Sequence, residues 1–195
     1  RRRRDNLFPC GRIRVHTLQC GTSAGMTPFE VIPDLRALVI ESSDPRLVTL
    51  IPSAFILAPG FVGMPHSIDT VARLALLGVQ VDSPIQHYYW WPRERTLIPN
   101  PFSHQVATAA FAVTNPHGYI LNDIGTGKTL SAIWAADYLI ETGYGHRALI
   151  IAPLSTLERV WGDALYFHFT HRKFAVLHGS ADRRRKLLAQ PRDFY

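Results

Sequence analysis

Cysteine is scarce in this chain, with Cys10 and Cys20 the only two among 195 residues. So few thiols exclude a disulfide-stapled scaffold and favour a reducing cytoplasm. The spacing of the two cysteines matches no common zinc pattern. His168 and His171 stand three residues apart, but no second ligand pair accompanies them, so we expect no metal site built from these residues.

Long hydrophobic runs are also missing. The most apolar stretch, residues 47–64, is interrupted by Pro52, Pro59 and Gly60, which predicts strands and turns instead of a membrane span. No secretory signal pattern is visible at the amino terminus. We therefore expect a cytoplasmic protein with no membrane partner.

The composition is 47% hydrophobic and 18% charged, which suits a globular domain with an attached subdomain. The formal net charge is +6, and much of the excess lies in residues 1–4 and 183–186. A basic balance is compatible with a nucleic-acid partner but does not prove one. A terminal arginine run is most often a solvated tail.

Residues 1–83 are predicted to form a small α+β module. Ile13, Val15 and Thr17 alternate with polar residues, as in a half-buried strand. Further β-type runs are 37–41, 47–51 and 55–57. Ser67 is a candidate cap for a helix that carries apolar residues at helical spacing and stops at Gly78. We find no chemical motif in this module.

Residues 84–102 form a linker rich in proline and aromatic residues, including Tyr88, Tyr89, Trp90 and Trp91. Such a cluster has two interpretations. It can stack on adenine when it lies near a nucleotide site, or it can pack two parts of a protein together, which is the more common use.

From Ser103 onward, helical and β-type patterns alternate. Helices are predicted at 103–114 and 128–142, at a segment begun by Ser155 and Glu158 with capping-box spacing, and at 181–189. Strands are predicted at 118–122, 148–152 and 174–177. This alternation predicts a parallel doubly wound sheet with right-handed crossovers, whose ligand site lies at the carboxyl ends of its strands.

Residues 118–129 carry the clearest chemical motif, a glycine-punctuated loop between a predicted strand and a predicted helix. Gly125 and Gly127 let backbone amides approach phosphate oxygens, Lys128 can reach the β- and γ-phosphates, and the Thr129 hydroxyl can ligate Mg²⁺. The general phosphate-loop pattern has glycine where this chain has Asn122, and a short asparagine tolerates unusual backbone angles. The competing interpretation is an ordinary glycine turn before a helix.

Four segments in order resemble the first RecA-like domain of superfamily-two helicases, in particular the Swi/Snf-type ATPases and most closely their phage-encoded members. The segments are 102–105, similar to the upstream glutamine motif, 122–129, similar to motif I, 150–155 with Trp161, similar to motif Ia, and 176–179 with Arg183 or Arg184. The resemblance covers 84–195 well and 1–83 only loosely.

The resemblance implies an α/β fold, in which a partial P-loop RecA-like parallel sheet in 103–195 follows the small α+β module. It implies that ATP is bound with Mg²⁺, with Lys128 and Thr129 as catalytic residues and Thr129 as the metal ligand. The implied ATP-binding residues are Gln105, Asp123, Gly125, Thr126, Gly127, Lys128 and Thr129, and the implied nucleic-acid contacts are Ser155, Thr156, Arg183 and Arg184.

The implied partners are double- or single-stranded DNA and a second RecA-like domain of the same polypeptide, in a bacterial or phage-infected cell. Simpler roles stand beside these. Gln105 can be an exposed helix residue, Asp123 can serve only the loop backbone, Ser155 can be only a helix cap, and the basic run at 183–186 can be a solvated helix face.

An Asp-Glu pair, which this family uses to hold Mg²⁺ and orient the attacking water, occurs nowhere in the 195 residues. We therefore expect a fragment that binds ATP weakly and hardly hydrolyses it. Two rival functions remain. One is another P-loop enzyme, such as a kinase or a small-molecule ATPase, and the other is a truncated, non-hydrolysing module that binds nucleic acid through its arginine clusters.

Overall fold

The computed structural model describes residues 28–91 and 100–195, which form a mixed α/β structure. The predicted strand around Ile13, the two cysteines and residues 92–99 of the linker lie outside the described residues. The predicted domain boundaries at 83 and 102 stay predictions.

A four-stranded antiparallel sheet comprises β1 (Phe29–Ile32), β2 (Ala37–Glu41), β3 (Phe55–Ala58) and β4 (Phe61–Pro65), in the order β1-β2-β4-β3. Val39 on the central strand β2 pairs with Glu30 on one side and Gly63 on the other. The turn between β3 and β4 contains Gly60 at φ +81°, a conformation that glycine adopts at little cost. Two predicted strands, 37–41 and 55–57, are confirmed.

The predicted strand at 47–51 is wrong, because the chain there forms helix α1 (Arg46–Leu50). Asp44 Oδ1 accepts a hydrogen bond from the backbone amide of Arg46 at 2.9 Å, which satisfies an amide of the first helical turn. Leu47 and Ile51, four residues apart, are both buried. A short apolar run fits a strand and a helix equally well, and here the Asp44 contact before the run favours the helix.

Helix α2 (Ile68–Leu76) begins where its cap was predicted, since Ser67 Oγ accepts a hydrogen bond from Thr70 N at 3.2 Å. The helix ends before Gly78, which has φ +78°. The first core of the molecule lies between one face of the sheet, α1 and α2. Its buried members are Leu38, Ile40, Leu47, Ile51, Val62, Met64 and Leu74.

A second core is built on two longer helices, α4 (Ser103–Thr114) and α5 (Lys128–Glu141), with the short helix α3 (Pro84–Tyr88) beside them. The bounds predicted for α4 are confirmed, and those for α5 differ by one residue. Trp134 on α5 is 1% exposed. The buried members are Ile68, Ile85, Tyr89, Trp91, Ala109, Ala110, Val113, Ile133, Trp134, Ala135, Tyr138, Leu165, Phe169 and Phe194.

The predicted parallel sheet is reduced to two isolated parallel bridges, Ala148 with Phe194 and Phe174 with Phe194. Within the described residues, no strand is assigned at 118–122, 148–152 or 174–177. Leu121 and Ile151 are each 89% exposed. A parallel sheet requires cover on both faces, and the described part of the chain leaves these apolar side chains uncovered. Only the general α/β class is therefore shown.

The segment after Pro153 contains α6 (Leu154–Thr156), a π-helical stretch (Leu157–Gly162) and α7 (Asp163–His168). The predicted capping box is wrong, because α6 begins before Ser155 and makes no side-chain cap bond. Helix α8 (Ala181–Leu188) carries the basic run, as predicted, and is capped by Ser180. No helix in the described ranges has both the length and the apolar character needed to cross a membrane.

Candidate phosphate-binding site

The glycine loop, residues 122–127, follows α4 in the chain and leads directly into the first turn of α5. Gly125 has φ +82° and Gly127 has φ +77°, both in the left-handed region that favours glycine. A Cβ built on Gly125 meets nothing within 4 Å, whereas one built on Gly127 lies 2.0 Å from Gln105 Nε2. The loop is therefore open above Gly125 and closed against α4 at Gly127.

The first turn of α5 supplies donors to this open space. Ser131 N donates to Gly127 O at 3.2 Å, which is the first bond of the helix. The backbone amides of residues 128–130 consequently have no acceptor within the helix. Together with the positive end of the helix dipole, they suit a phosphate group.

The ammonium group of Lys128 is folded back over the loop. Lys128 Nζ donates to Asn122 O at 2.8 Å and to Asp123 O at 2.6 Å. Thr126 Oγ1 also donates to Asp123 O, at 2.9 Å. The ammonium group has three hydrogens and these two carbonyl oxygens accept two of them, so a phosphate can engage Lys128 through the third.

Thr129 follows Lys128 in α5 and is half buried. It lies at the edge of a cavity of about 320 Å³ that Arg159 and Asp163 also line. The residues that the structure describes contain no cluster of three or more His, Cys, Asp or Glu side chains able to hold a metal ion. A magnesium ion here would rely on nucleotide phosphates together with the Thr129 hydroxyl, which is a usual arrangement for Mg²⁺.

Gln105 is only 8% exposed, so the simpler interpretation of an exposed helix residue is wrong. Its Oε1 accepts a hydrogen bond from Phe102 N at 3.0 Å, and its Nε2 donates to Thr126 O at 3.4 Å. Gln105 thus caps α4 and contacts the loop at once. A role in adenine recognition stays a prediction.

Asn122 takes part in the site in a way that the sequence did not suggest. Its Nδ2 donates to Thr108 Oγ1 at 2.8 Å, and Thr108 Oγ1 donates to His104 O at 2.7 Å. Arg36 is the one non-glycine residue with positive φ among those the structure describes, so Asn122 does not use unusual backbone angles. Its side chain, and not its backbone tolerance, accounts for its fit in the loop.

The four predicted nucleic-acid contacts lie on elements separate from the loop. Ser155 and Thr156 belong to α6, and Arg183 and Arg184 are exposed on α8. The neighbouring Arg185 pairs with Asp182 at 3.0 Å. Hydrogen bonds thus join predicted ATP-binding residues of α4, the loop and α5, whereas the four predicted nucleic-acid contacts lie on α6 and α8.

Two aromatic residues of the linker pack on α5. Tyr89 and Trp91 are buried, and their rings form edge contacts with Tyr138 and Trp134 at centroid distances of 5.9 and 5.6 Å. The two interpretations of this cluster were stacking on adenine and packing within the protein, and Tyr89 and Trp91 pack within the protein. Trp90 between them is exposed.

A buried carboxylate on α5, Asp137, was missed by the sequence reasoning. Tyr89 Oη donates to Asp137 Oδ2 at 2.6 Å, Arg172 Nε donates to Oδ1, and His171 lies 3.3 Å from Oδ1. Burial and the nearby carboxylate raise the pKa of Tyr89. The available signal was a charged residue among the apolar side chains of α5.

Comparison with known proteins found no matching family model, no matching curated protein and no matching solved structure.

Proposed function

We propose that this chain is the ATP-binding portion of an ATP-dependent DNA helicase or translocase of the Swi/Snf type. In the intact protein, ATP hydrolysis would drive movement along double- or single-stranded DNA. The observation that supports this proposal best is the position of Lys128. It opens a helix directly after a loop with two left-handed glycines, and its ammonium group already binds the loop carbonyls.

In the proposed complex, the ATP phosphates contact the amides of residues 128–130 and accept the third hydrogen of the Lys128 ammonium group, which the loop carbonyls leave unused. Thr129 supplies one oxygen to the magnesium ion that the phosphates carry. Gln105 faces the adenine. Its amide oxygen can accept a second bond and its NH₂ group can donate a second bond, so its contacts with Phe102 and Thr126 leave capacity for a base.

The finer fold belongs to the same proposal. A partial RecA-like parallel sheet is supported by the parallel bridges from Phe194 to Ala148 and Phe174. A second RecA-like domain of the same polypeptide would close over the nucleotide. Two cysteines in 195 residues favour a reducing cytoplasm as the compartment.

Catalysis is expected to be weak or absent in these 195 residues alone. Phosphoryl transfer to water requires a group that positions the water and charges that neutralise the transition state. No Asp-Glu pair occurs in the sequence to do the first task. We therefore propose that this segment binds Mg²⁺–ATP, and that turnover is a property of the intact motor.

The test is a binding titration of the 195-residue chain with a fluorescent ATP analogue in the presence of Mg²⁺. Lys128→Ala removes a charge-assisted contact to phosphate, so we expect affinity to fall by about tenfold to a hundredfold. Lys173→Ala is the matched control, because it removes a lysine that lies outside the loop and is exposed. Equal affinities for wild type and Lys128→Ala would refute the assignment.

The rival nucleic-acid module is favoured by one observation, the exposed arginines of α8. It predicts DNA binding that weakens steeply with salt and that neither ATP nor Lys128→Ala alters. Fluorescence anisotropy with a labelled duplex measures this directly. Under either DNA-binding function, Arg183→Ala and Arg184→Ala should each reduce the salt dependence of DNA affinity, while Ser155→Ala and Thr156→Ala test the α6 contacts.

The rival kinase or small-molecule ATPase predicts turnover in the intact protein without stimulation by DNA.

A further inference from the structure

Helix α4 holds the loop at both of its ends. At the start of the loop, Asn122 Nδ2 donates to Thr108 Oγ1 at 2.8 Å. Near its end, Thr126 O lies 3.1 Å from His104 Nε2 and 3.4 Å from Gln105 Nε2. The loop is therefore attached to a helix that precedes it in the chain, in addition to its covalent link to α5.

The bond at Asn122 has a defined direction. The Thr108 hydroxyl carries one hydrogen, and it is donated to His104 O at 2.7 Å. Thr108 Oγ1 consequently accepts from Asn122, which must present its NH₂ group. An ionised aspartate at position 122 has no hydrogen to donate, so either two acceptors face each other or the Thr108 hydroxyl turns toward the carboxylate and gives up its bond to His104 O.

The same residue also positions the lysine. The backbone carbonyl oxygen of Asn122 accepts a hydrogen bond from Lys128 Nζ at 2.8 Å. The side chain of Asn122 therefore anchors to α4 the same residue whose carbonyl group binds Lys128. A three-residue connection thus runs from α4 through Asn122 to the ammonium group. It joins residues 14 apart and then 6 apart in sequence.

We propose that Asn122 is a positioning residue for the loop: its bond to Thr108 fixes the loop and Lys128 in the geometry that receives a nucleoside triphosphate. Asn122 need not contact the ligand, since it acts through Lys128 and the loop backbone. The choice of ligand rests on the proposed function, whereas the effect on the loop does not.

The first measurement is the affinity of the full 195-residue chain for a fluorescent ATP analogue with Mg²⁺. Asn122→Ala and Thr108→Val each remove the bond, and we expect each to raise Kd by about three- to tenfold, which corresponds to one ordinary hydrogen bond. Asn122→Asp should be at least as harmful. Thr108→Ser keeps the hydroxyl and should bind within about twofold of wild type.

Matched controls lie at the other end of the same helix. Asn115 Nδ2 donates to Phe111 O at 2.9 Å and to Thr114 Oγ1 at 3.2 Å. Asn115→Ala and Thr114→Val therefore remove the same kind of amide–hydroxyl bond from α4, away from the loop. They should leave Kd unchanged. Thr108→Val also removes the bond to His104 O, so in the double variant Asn122→Ala/Thr108→Val the loss should equal that of Thr108→Val alone, because the bond to Asn122 is already absent there.

The second measurement needs no nucleotide. Backbone ¹⁵N relaxation of the ligand-free chain should show lower order parameters at residues 123–128 in Asn122→Ala and Thr108→Val, but not in Thr108→Ser or Asn115→Ala. A purely structural contribution to stability would shift the urea midpoint without this local change.

The outcomes separate the two hypotheses. If Lys128→Ala weakens ATP binding but Asn122→Ala binds like wild type, the proposed function stands and the positioning role is wrong. If the wild-type chain binds no ATP, the proposed function fails, and the positioning role is then tested by the relaxation data alone. Increased loop motion in Asn122→Ala and Thr108→Val supports that role. Unchanged motion overturns it.

Discussion

Replacing Gly127 with alanine tests how closely α4 and the loop fit together. The residue has φ +77°, so alanine there adopts a left-handed conformation that costs about 1–2 kcal/mol. The new Cβ would also lie 2.0 Å from Gln105 Nε2 and 3.1 Å from Gln105 Cδ. Gln105 must therefore move.

Moving Gln105 breaks two hydrogen bonds and so lowers the free energy of unfolding. Its amide would lose the bond from Phe102 N at 3.0 Å and the bond to Thr126 O at 3.4 Å. At about 0.5–1.5 kcal/mol for each bond, the loss is about 1–3 kcal/mol. Together with the backbone strain, Gly127→Ala should lower the free energy of unfolding by about 2–5 kcal/mol.

Gly125→Ala is the matched control, because that position has φ +82° but nothing within 4 Å of the added Cβ. It should cost only the strain, about 1–2 kcal/mol. Urea unfolding of both variants measures the difference. Adding Gln105→Ala to Gly127→Ala should cost less than the sum of the single changes, since the clash disappears. Equal costs for the two glycine variants, or strict additivity in the double variant, would refute this reasoning.

Two further predictions concern buried polar groups. Tyr89→Phe leaves Asp137 Oδ2 without its 2.6 Å donor, so the free energy of unfolding should fall by about 1–3 kcal/mol, whereas Tyr166→Phe on an exposed ring should have little effect. Burial lowers the pKa of His66, whose ring contacts Tyr88 Oη at 2.9 Å and Asp82 O at 2.8 Å. The unfolded chain then binds more protons below about pH 6.5, so stability should decrease as the pH falls through that value. His66→Gln should flatten the pH profile of the urea midpoint and exposed His146→Gln should not; a profile unaffected by His66→Gln would contradict the assignment.

Local signals predicted the elements that local interactions stabilise. The bounds of α4 and the Ser67 cap of α2 follow from side-chain spacing and from hydrogen bonds that span three or four residues. The prediction for 47–51 was wrong because an apolar pentapeptide fits either periodicity, and the apolar pattern does not contain the Asp44 contact that begins α1. No strand is assigned at 118–122 or 148–152 in the described part of the chain, since a strand also needs partners and cover that apolar character alone does not provide.

The sequence by itself determined where the candidate phosphate loop lies, because glycine, lysine and threonine at fixed spacing lie in adjacent residues of the chain. Only the tertiary structure decided what surrounds that loop. Gln105 and Thr108 contact it from the preceding helix across 21 and 14 positions of sequence, and Asp137 meets Tyr89 across 48. Contacts of this kind arise from how helices pack. Packing depends on the whole set of buried side chains, so no short sequence pattern predicts them.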